Sequence, residues 1–357
     1  MATKNLNNET QKATSNVESP KPPGGQPIPP TGREKVANNV QGGYYNEQTV
    51  LWLNGSFVKA SEAKMDLYSQ SLHYGYSVFE GIRSYATVNG KTKIFKAVEH
   101  FDRLEKSASA LNMPYHWQTE ELIAATYEVL KRNNLQDAYI RPVVYAPANM
   151  SFAKNTESFI SIQVWEMQPF LGDKLLRVMT SSFQRPNPKG FKIEAKASGH
   201  YVNSILASQE AKATGFDEAL LTDMNGYVAE GPGANVFYEK DGKLFTPSTG
   251  NILPGITRAT VFEICDELGI QVNEKLFTLE ELKQADTVFF CGTAAEVIGW
   301  ESLDDVKFEF PWEESVSKKI QEAYKNKVTV SPELHSQTLV ASNGGAFKTS
   351  KIELSNE

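Results

Sequence analysis

The apolar positions of this chain fall into two recurring periods. Val50-Leu51-Trp52-Leu53 and Ser56-Phe57-Val58 flank Asn54-Gly55. That dipeptide accepts the positive φ of a two-residue turn, so two short paired strands are predicted. Phe101, Leu104, Ala108 and Leu111 recur at spacings of three and four, which predicts a helix over 98–111. A second helix is predicted over 119–133, followed by β-rich runs at 138–146 and 159–165. Beyond these lies a strand at 176–179 and then a helix over 203–214 closed by Gly215. Strands at 219–222 and 236–238 follow, with turns at Met224-Asn225-Gly226 and Lys240-Asp241-Gly242. Helices are predicted at 257–268 and 279–284, the latter with Thr278 and Glu281 spaced as a capping box. A strand at 287–290 completes the series. Strands and helices mixed in this way predict an α+β fold.

Composition sets the boundaries. Residues 1–45 are rich in Asn, Ser, Thr, Pro and Gly, including Pro20-Lys21-Pro22-Pro23-Gly24-Gly25, and are expected to be a disordered extension. A small α+β domain is expected over 46–167, a connection over 168–175, a larger domain over 176–330 and a flexible polar tail over 331–357. The 357 residues leave room for two such domains. A net charge of −7 argues against nucleic acid or an anionic membrane as the main partner. No apolar run reaches the roughly 20 residues of a membrane span, and the N-terminus lacks an apolar signal core. A cytoplasmic protein is expected. Cys265 and Cys291 lie in apolar stretches without CxxC spacing or nearby histidine clusters. They read as buried thiols, not as a disulfide or a metal site.

Four segments are too polar and too rich in glycine or small residues to be plain core. In Ala195-Lys196-Ala197-Ser198-Gly199-His200-Tyr201 a lysine stands among small residues just before a helix. It is either an ordinary solvated amine or a desolvated one able to attack a carbonyl. Glu230-Gly231-Pro232-Gly233-Ala234-Asn235 is a tight loop before a strand, or a carboxylate offered to a cationic ring nitrogen. Leu253-Pro254-Gly255-Ile256-Thr257-Arg258 opens a helix whose free amides suit either ordinary capping or an anion. Cys291-Gly292-Thr293-Ala294-Ala295-Glu296 has similar features after a strand. The residues by themselves leave both readings of each segment open.

Taken with these four, Leu72-His73-Tyr74-Gly75-Tyr76-Ser77-Val78-Phe79-Glu80-Gly81-Ile82-Arg83, Glu99-His100-Phe101-Asp102-Arg103-Leu104 and Tyr139-Ile140-Arg141-Pro142 resemble the class IV aminotransferases, and more narrowly the bacterial branched-chain group. The similarity runs in order from about residue 51 to about 300. It implies the two-domain fold type IV architecture, like that of D-amino-acid aminotransferase. Pyridoxal 5′-phosphate would lie between the domains, and a homodimer partner would complete the site. Lys196 matches the Schiff-base lysine and proton shuttle, Glu230 the partner of the pyridine nitrogen, and Tyr201 the donor to the phenolic oxygen. Arg103, Ile256, Thr257 and Thr293 match the phosphate contacts. Ala294 matches an amide for the substrate carboxylate. Tyr74, Phe79 and Tyr139 match an aromatic wall, and Arg141 the group that meets the distal carboxylate of glutamate. The implied partners are small amino acids and 2-oxo acids: leucine, isoleucine or valine with 2-oxoglutarate. Arg83 also lies in a matching motif but is given no firm role; a surface or interface salt bridge is an equal reading. Residues 146–153 match nothing in the family, and Ala234 stands where many relatives carry glutamate. Other enzymes of the same fold, including D-amino-acid and amine transaminases and aminodeoxychorismate lyases, would keep the lysine and the phosphate site and differ in the pocket.

Overall fold

The computed structural model describes residues 43–167, 171 and 174–329. The expected disorder of the first 42 residues, the tail from 330 and most of the 168–175 connection lie outside the described residues. From Tyr44 on, the described chain forms one compact unit built on two sheets.

The first sheet holds β1 (Val50–Leu53), β2 (Ser56–Lys59), β3 (Ser77–Phe79), β4 (Ile82–Ala86), β5 (Thr92–Ile94), β6 (Ala138–Tyr145) and β7 (Phe159–Glu166). Their order is β2-β1-β7-β6-β4-β5, with β3 also paired to β6. Asn54 at φ 48° and Gly55 at φ 87° make the predicted hairpin turn between β1 and β2. Three helices belong to this half: α1 (Gln70–Tyr74), α2 (Ala97–Ala110) and α3 (Thr119–Arg132). Phe101, Leu104 and Ala108 of α2 are fully buried, together with Leu122 and Val129 of α3 and Ile140, Ile160 and Ile162 of the sheet. The three-and-four spacing of α2 is therefore its core face.

The second sheet holds β8 (Leu176–Gln184), β9 (Glu218–Thr222), β10 (Val228–Glu230), β11 (Asn235–Lys240), β12 (Lys243–Thr246), β13 (Val272–Glu274), β14 (Thr287–Gly292), β15 (Glu296–Leu303) and β16 (Val306–Lys307). With it run α4 (Tyr201–Ala213), α5 (Ile256–Leu268), α6 (Leu279–Leu282) and α7 (Val316–Thr329). Strand β10 pairs with both β9 and β11, so β10-β9-β8-β15-β14-β11 closes on itself. The closing register is a single pair, Glu230 opposite Asn235. Alternation along the strands fills both sides of this ring. Val236 and Tyr238 of β11 join Val288 and Phe290 of β14 in one cluster, while Phe237, Phe289 and Cys291 point into another beneath α5 and α7. A strand buried on both faces reads as an unbroken apolar run, which is how β14 looks in sequence.

The predicted elements are present with small shifts, except that β8 runs five residues past the predicted 176–179. Helix α4 begins at Tyr201, two residues early, because a 3₁₀ turn over Ser198–His200 feeds into it. Thr278 accepts from the Glu281 amide at the start of α6, but the Glu281 carboxylate turns to Lys275 and Tyr238 and does not complete the box. Sequence periodicity shows no sign of α1, β3 to β5, β10, β12, β13, β15, β16 or α7. Helix α7 is largely polar, with Ile320, Tyr324 and Val328 forming a buried stripe of every fourth residue.

Candidate active site

A cleft opens where the lysine loop, the Glu230 loop, the start of α5 and the turn after β14 converge. Lys196 is set there by its backbone. Its N–H donates to Ser107 Oγ at 3.1 Å, and its carbonyl accepts from the Phe79 amide at 3.0 Å. Ala197 bridges to Val78. Gly75, at φ 64°, lies so close to Gly199 that a β-carbon would sit 2.8 Å from the Gly199 Cα, so the loops around β3 and Lys196 touch backbone to backbone. The half-buried amine lies 2.7 Å from Tyr201 Oη. It also stands 5.2 Å from the centre of the Phe79 ring.

Glu230 sits at the ring-closing pair, 5% exposed. Asn235 Nδ2 donates to its Oε2 at 3.0 Å, and the Leu253 amide also points at the carboxylate. Arg185 Nε lies 2.9 Å from Oε1 in a buried ion pair. Burial pushes this carboxyl above its ordinary value, against the opposing pull of Arg185 and the Leu253 amide. Gly231 has no room for a side chain, since a β-carbon would come within 2.8 Å of the Phe290 ring.

The other wall of the cleft is the start of α5. Gly255 is its N-cap and offers no side-chain acceptor, so the first-turn amides at Ile256 and Thr257 are left for a ligand. Thr293 follows β14 on the facing side, and Arg103 reaches in from α2. An amine beside a phenol, a buried carboxylate, a guanidinium and an uncapped helix start provide the donor set for an aldehyde, a phenolic oxygen, a ring nitrogen and a phosphate. The residues therefore fit pyridoxal phosphate.

All seven residues predicted to hold the cofactor, Arg103, Lys196, Tyr201, Glu230, Ile256, Thr257 and Thr293, line this one cleft. The five predicted to meet substrate do not. Phe79 packs edge-on against Tyr201, with ring centres 4.7 Å apart. The Arg141 guanidinium lies 4.6 Å from the centre of the Phe79 ring and donates to Tyr139 Oη at 3.1 Å. These three form a continuous row leading away from Lys196. Ala294 is half-buried in the turn beside Thr293. Tyr74 is different: it ends α1, 48% exposed, beside the Phe152 ring.

A family model described as amino-transferase class IV matches residues 77–303. The chain belongs to the class IV aminotransferases. These are pyridoxal-phosphate-dependent enzymes. The chain is 39% identical to the branched-chain-amino-acid aminotransferase of Pseudomonas aeruginosa, over 81% of this chain and 95% of that protein. The crystal structure of the Escherichia coli branched-chain aminotransferase superposes with a TM-score of 0.76 at 37% identity, covering 79% of this chain and 95% of that one. The branched-chain aminotransferase of the thermophilic archaeon Thermoproteus uzoniensis, crystallised with norvaline, gives a TM-score of 0.75 at 37% identity over 78% and 94%. Another solved branched-chain aminotransferase, complexed with N-(5′-phosphopyridoxyl)-L-glutamate, gives a TM-score of 0.73 at 38% identity over 80% and 95%.

For a class IV aminotransferase three cleft residues escaped sequence reading. Arg185 stands in the polar run Gln184-Arg185-Pro186-Asn187-Pro188, where nothing sets it apart from a surface arginine. Only the fold brings it to Glu230. His200 and Asn235 lie inside motifs already singled out, yet their neighbours drew the attention. The unmatched stretch 146–153 packs on α1: Ser69 Oγ donates to the Ala146 carbonyl, and Gln70 Nε2 donates to the Ser151 carbonyl. Both cysteines are buried free thiols, and Cys291, in the wall of the cleft, has its thiol pushed up by burial.

Proposed function

We propose that this chain moves the amino group of L-leucine, L-isoleucine or L-valine to 2-oxoglutarate, giving a branched-chain 2-oxo acid and L-glutamate, with Lys196 as Schiff-base lysine. The observation that carries this reading is the Lys196 amine, held 2.7 Å from Tyr201 Oη in a cleft that also presents a buried carboxylate and an uncapped helix start. The bound cofactor supplies the electron sink that lets a substrate Cα–H proton leave. Lys196 Nζ would take that proton from Cα and, as the proton shuttle, give it back. Glu230 holds a proton at the ring nitrogen. Tyr201 donates to the phenolic oxygen. Arg103, the amides of Ile256 and Thr257, and Thr293 hold the phosphate, and the Ala294 amide takes the substrate carboxylate.

One pocket must accept an aliphatic side chain and then a carboxylate. The row Phe79–Arg141–Tyr139 supports both tasks. Phe79 offers an apolar face next to the amine, and the Arg141 guanidinium behind it is steadied by rings and a phenol. The solved relative complexed with N-(5′-phosphopyridoxyl)-L-glutamate supports glutamate as one of the two substrates.

A small domain over 46–167 and a larger one over 176–330, joined by 168–175, agree with the two sheets. A homodimer is favoured by the exposed Leu67, Tyr68, Leu72, Tyr74 and Phe152 around α1. Tyr74 would then serve the pocket of a partner copy. Among the described residues no helix is long and apolar enough to cross a membrane. A cytoplasmic address is part of the proposal.

The test is the visible spectrum of the protein and of Lys196→Ala, each with pyridoxal phosphate. The wild-type band should change on adding L-leucine and recover with 2-oxoglutarate, and the variant should show no such cycle. A wild-type band indifferent to leucine would move the activity to another member of the fold.

A further inference from the structure

Glu80 does not line the cleft, yet it holds a residue that does. It is fully buried, directly after β3. Arg103 Nε donates to its Oε1 at 2.7 Å and Arg103 Nη2 to its Oε2 at 2.9 Å. His100 Nδ1 lies 2.8 Å from the same Oε2, and His100 is itself 2% exposed. Residues 100 and 103 stand three apart on α2, so both side chains reach one carboxylate. The remaining Arg103 contact is Nη1 to the Pro254 carbonyl at 3.0 Å, one residue before the N-cap of α5.

A guanidinium carries five N–H groups. Three of them are committed here, which leaves one on each terminal nitrogen for a ligand in the cleft. A lone arginine on a flexible stem would lose rotamer entropy on meeting a phosphate. One locked edge-on by a buried carboxylate has already lost that freedom.

We propose that Glu80, steadied by His100, is a positioning residue that aims Arg103 at the cofactor phosphate and, through the Pro254 carbonyl, fixes it in register with the first turn of α5. The proposal rests on the reading of the cleft as a pyridoxal phosphate site. Burial by itself would raise the Glu80 carboxyl, but the Arg103 charge and the His100 bond hold it well below the usual carboxylate range. Burial keeps His100 below its own ordinary value despite Glu80, so it serves as a neutral donor through Nδ1–H.

A purely structural role for Glu80 makes a different prediction, and the phosphate itself separates the two. The apoprotein is titrated with pyridoxal phosphate and with pyridoxal, which lacks the phosphate, in wild type, Glu80→Gln, Glu80→Asp and Arg103→Met. Glu80→Gln should weaken pyridoxal phosphate about tenfold or more while changing pyridoxal less than about twofold. Adding Glu80→Gln to Arg103→Met should cost no further phosphate preference, because the two act as one unit. Glu80→Asp keeps the charge but draws it back by one methylene. It should lose part of the preference, and it serves as the second variant if the glutamine form does not fold. Equal weakening of both ligands, or an unchanged preference in either variant, overturns the proposal. A wild type that binds both ligands alike would instead remove the cofactor reading on which the proposal stands.

Discussion

Lys196 is fixed by hydrogen bonds on both sides of its own backbone, one to Ser107 Oγ of α2 and one from the Phe79 amide of β3. Sequence supplied the residue and, through the family's motifs, the role proposed for it; it supplied neither of these anchors. Glu230 is similar, since Arg185 reaches it from a stretch that reads as surface. The buried histidine makes a prediction at this scale. His100 has its pKa lowered from the ordinary 6.5 by burial, with Glu80 opposing. The unfolded chain therefore binds a proton at this residue near pH 6.5, and the native state resists it. Below that pH the unfolded state carries more protons, so stability falls as pH falls. Glu80, whose pKa is lowered, contributes stability that is lost mainly as the unfolded chain takes up its proton below the ordinary 4.5, so it adds little slope between pH 8 and 5. Thermal unfolding of the apoprotein over that range should show a smaller loss of Tm in His100→Gln than in wild type. His200, also lowered by burial, leaves a remainder. Equal slopes would show that His100 takes up its proton as easily folded as unfolded.

Among the elements, legibility followed amphipathic contrast. Helices α2 and α3 each turn one apolar face to the sheet and were visible with ends good to about one residue. Strand β14 was visible because both its faces are buried. The segment from α1 to β4 was not, because it is built from short pieces whose geometry is set by contacts from elsewhere. Gly75 caps α1 in the left-handed region and touches Gly199. It is tied to the lysine loop by the Gly199 N–H, which donates to the Gly75 carbonyl at 3.1 Å. Gly75→Ala would cost about 1–2 kcal/mol for the left-handed conformation, besides the steric conflict with Gly199. It should lower Tm and speed the release of pyridoxal phosphate on dialysis. A variant with wild-type Tm and retention would show that the two loops are not coupled through this contact.

At the scale of the molecule, a few side chains join the two sheets. Arg83 of β4 donates to Glu296 Oε1 at 2.7 Å from the start of β15, and Tyr85 Oη donates to the same oxygen at 2.9 Å. Tyr85 and Phe95 continue into the core around Tyr324 of α7. Arg83, to which the sequence assigns no firm role, thus pairs within the chain. Arg83→Met should cost about 1–2 kcal/mol, the contribution of a partly shielded charged hydrogen bond, read as a lower midpoint in urea. If the link matters to how the halves unfold together, the variant's transition should also broaden. An unchanged midpoint would assign the joining of the sheets to the apolar contacts alone.

The sequence by itself determined the period of each amphipathic element, the hairpin at Asn54-Gly55 and the order of motifs that marks the family. Local chemistry suffices for the first two: a turn needs its glycine, and a helix needs its spacing. The seven residues that line one cleft were also legible, because the family's motifs bracket them. Tertiary structure decided the rest. The closing pair Glu230–Asn235, the Arg185 ion pair, the Glu80–His100–Arg103 lock and the placement of Tyr74 outside its own chain's cleft are all set by segments that meet only in the fold. Such contacts leave no periodic trace, because a residue that meets a distant partner is free of any spacing rule toward it.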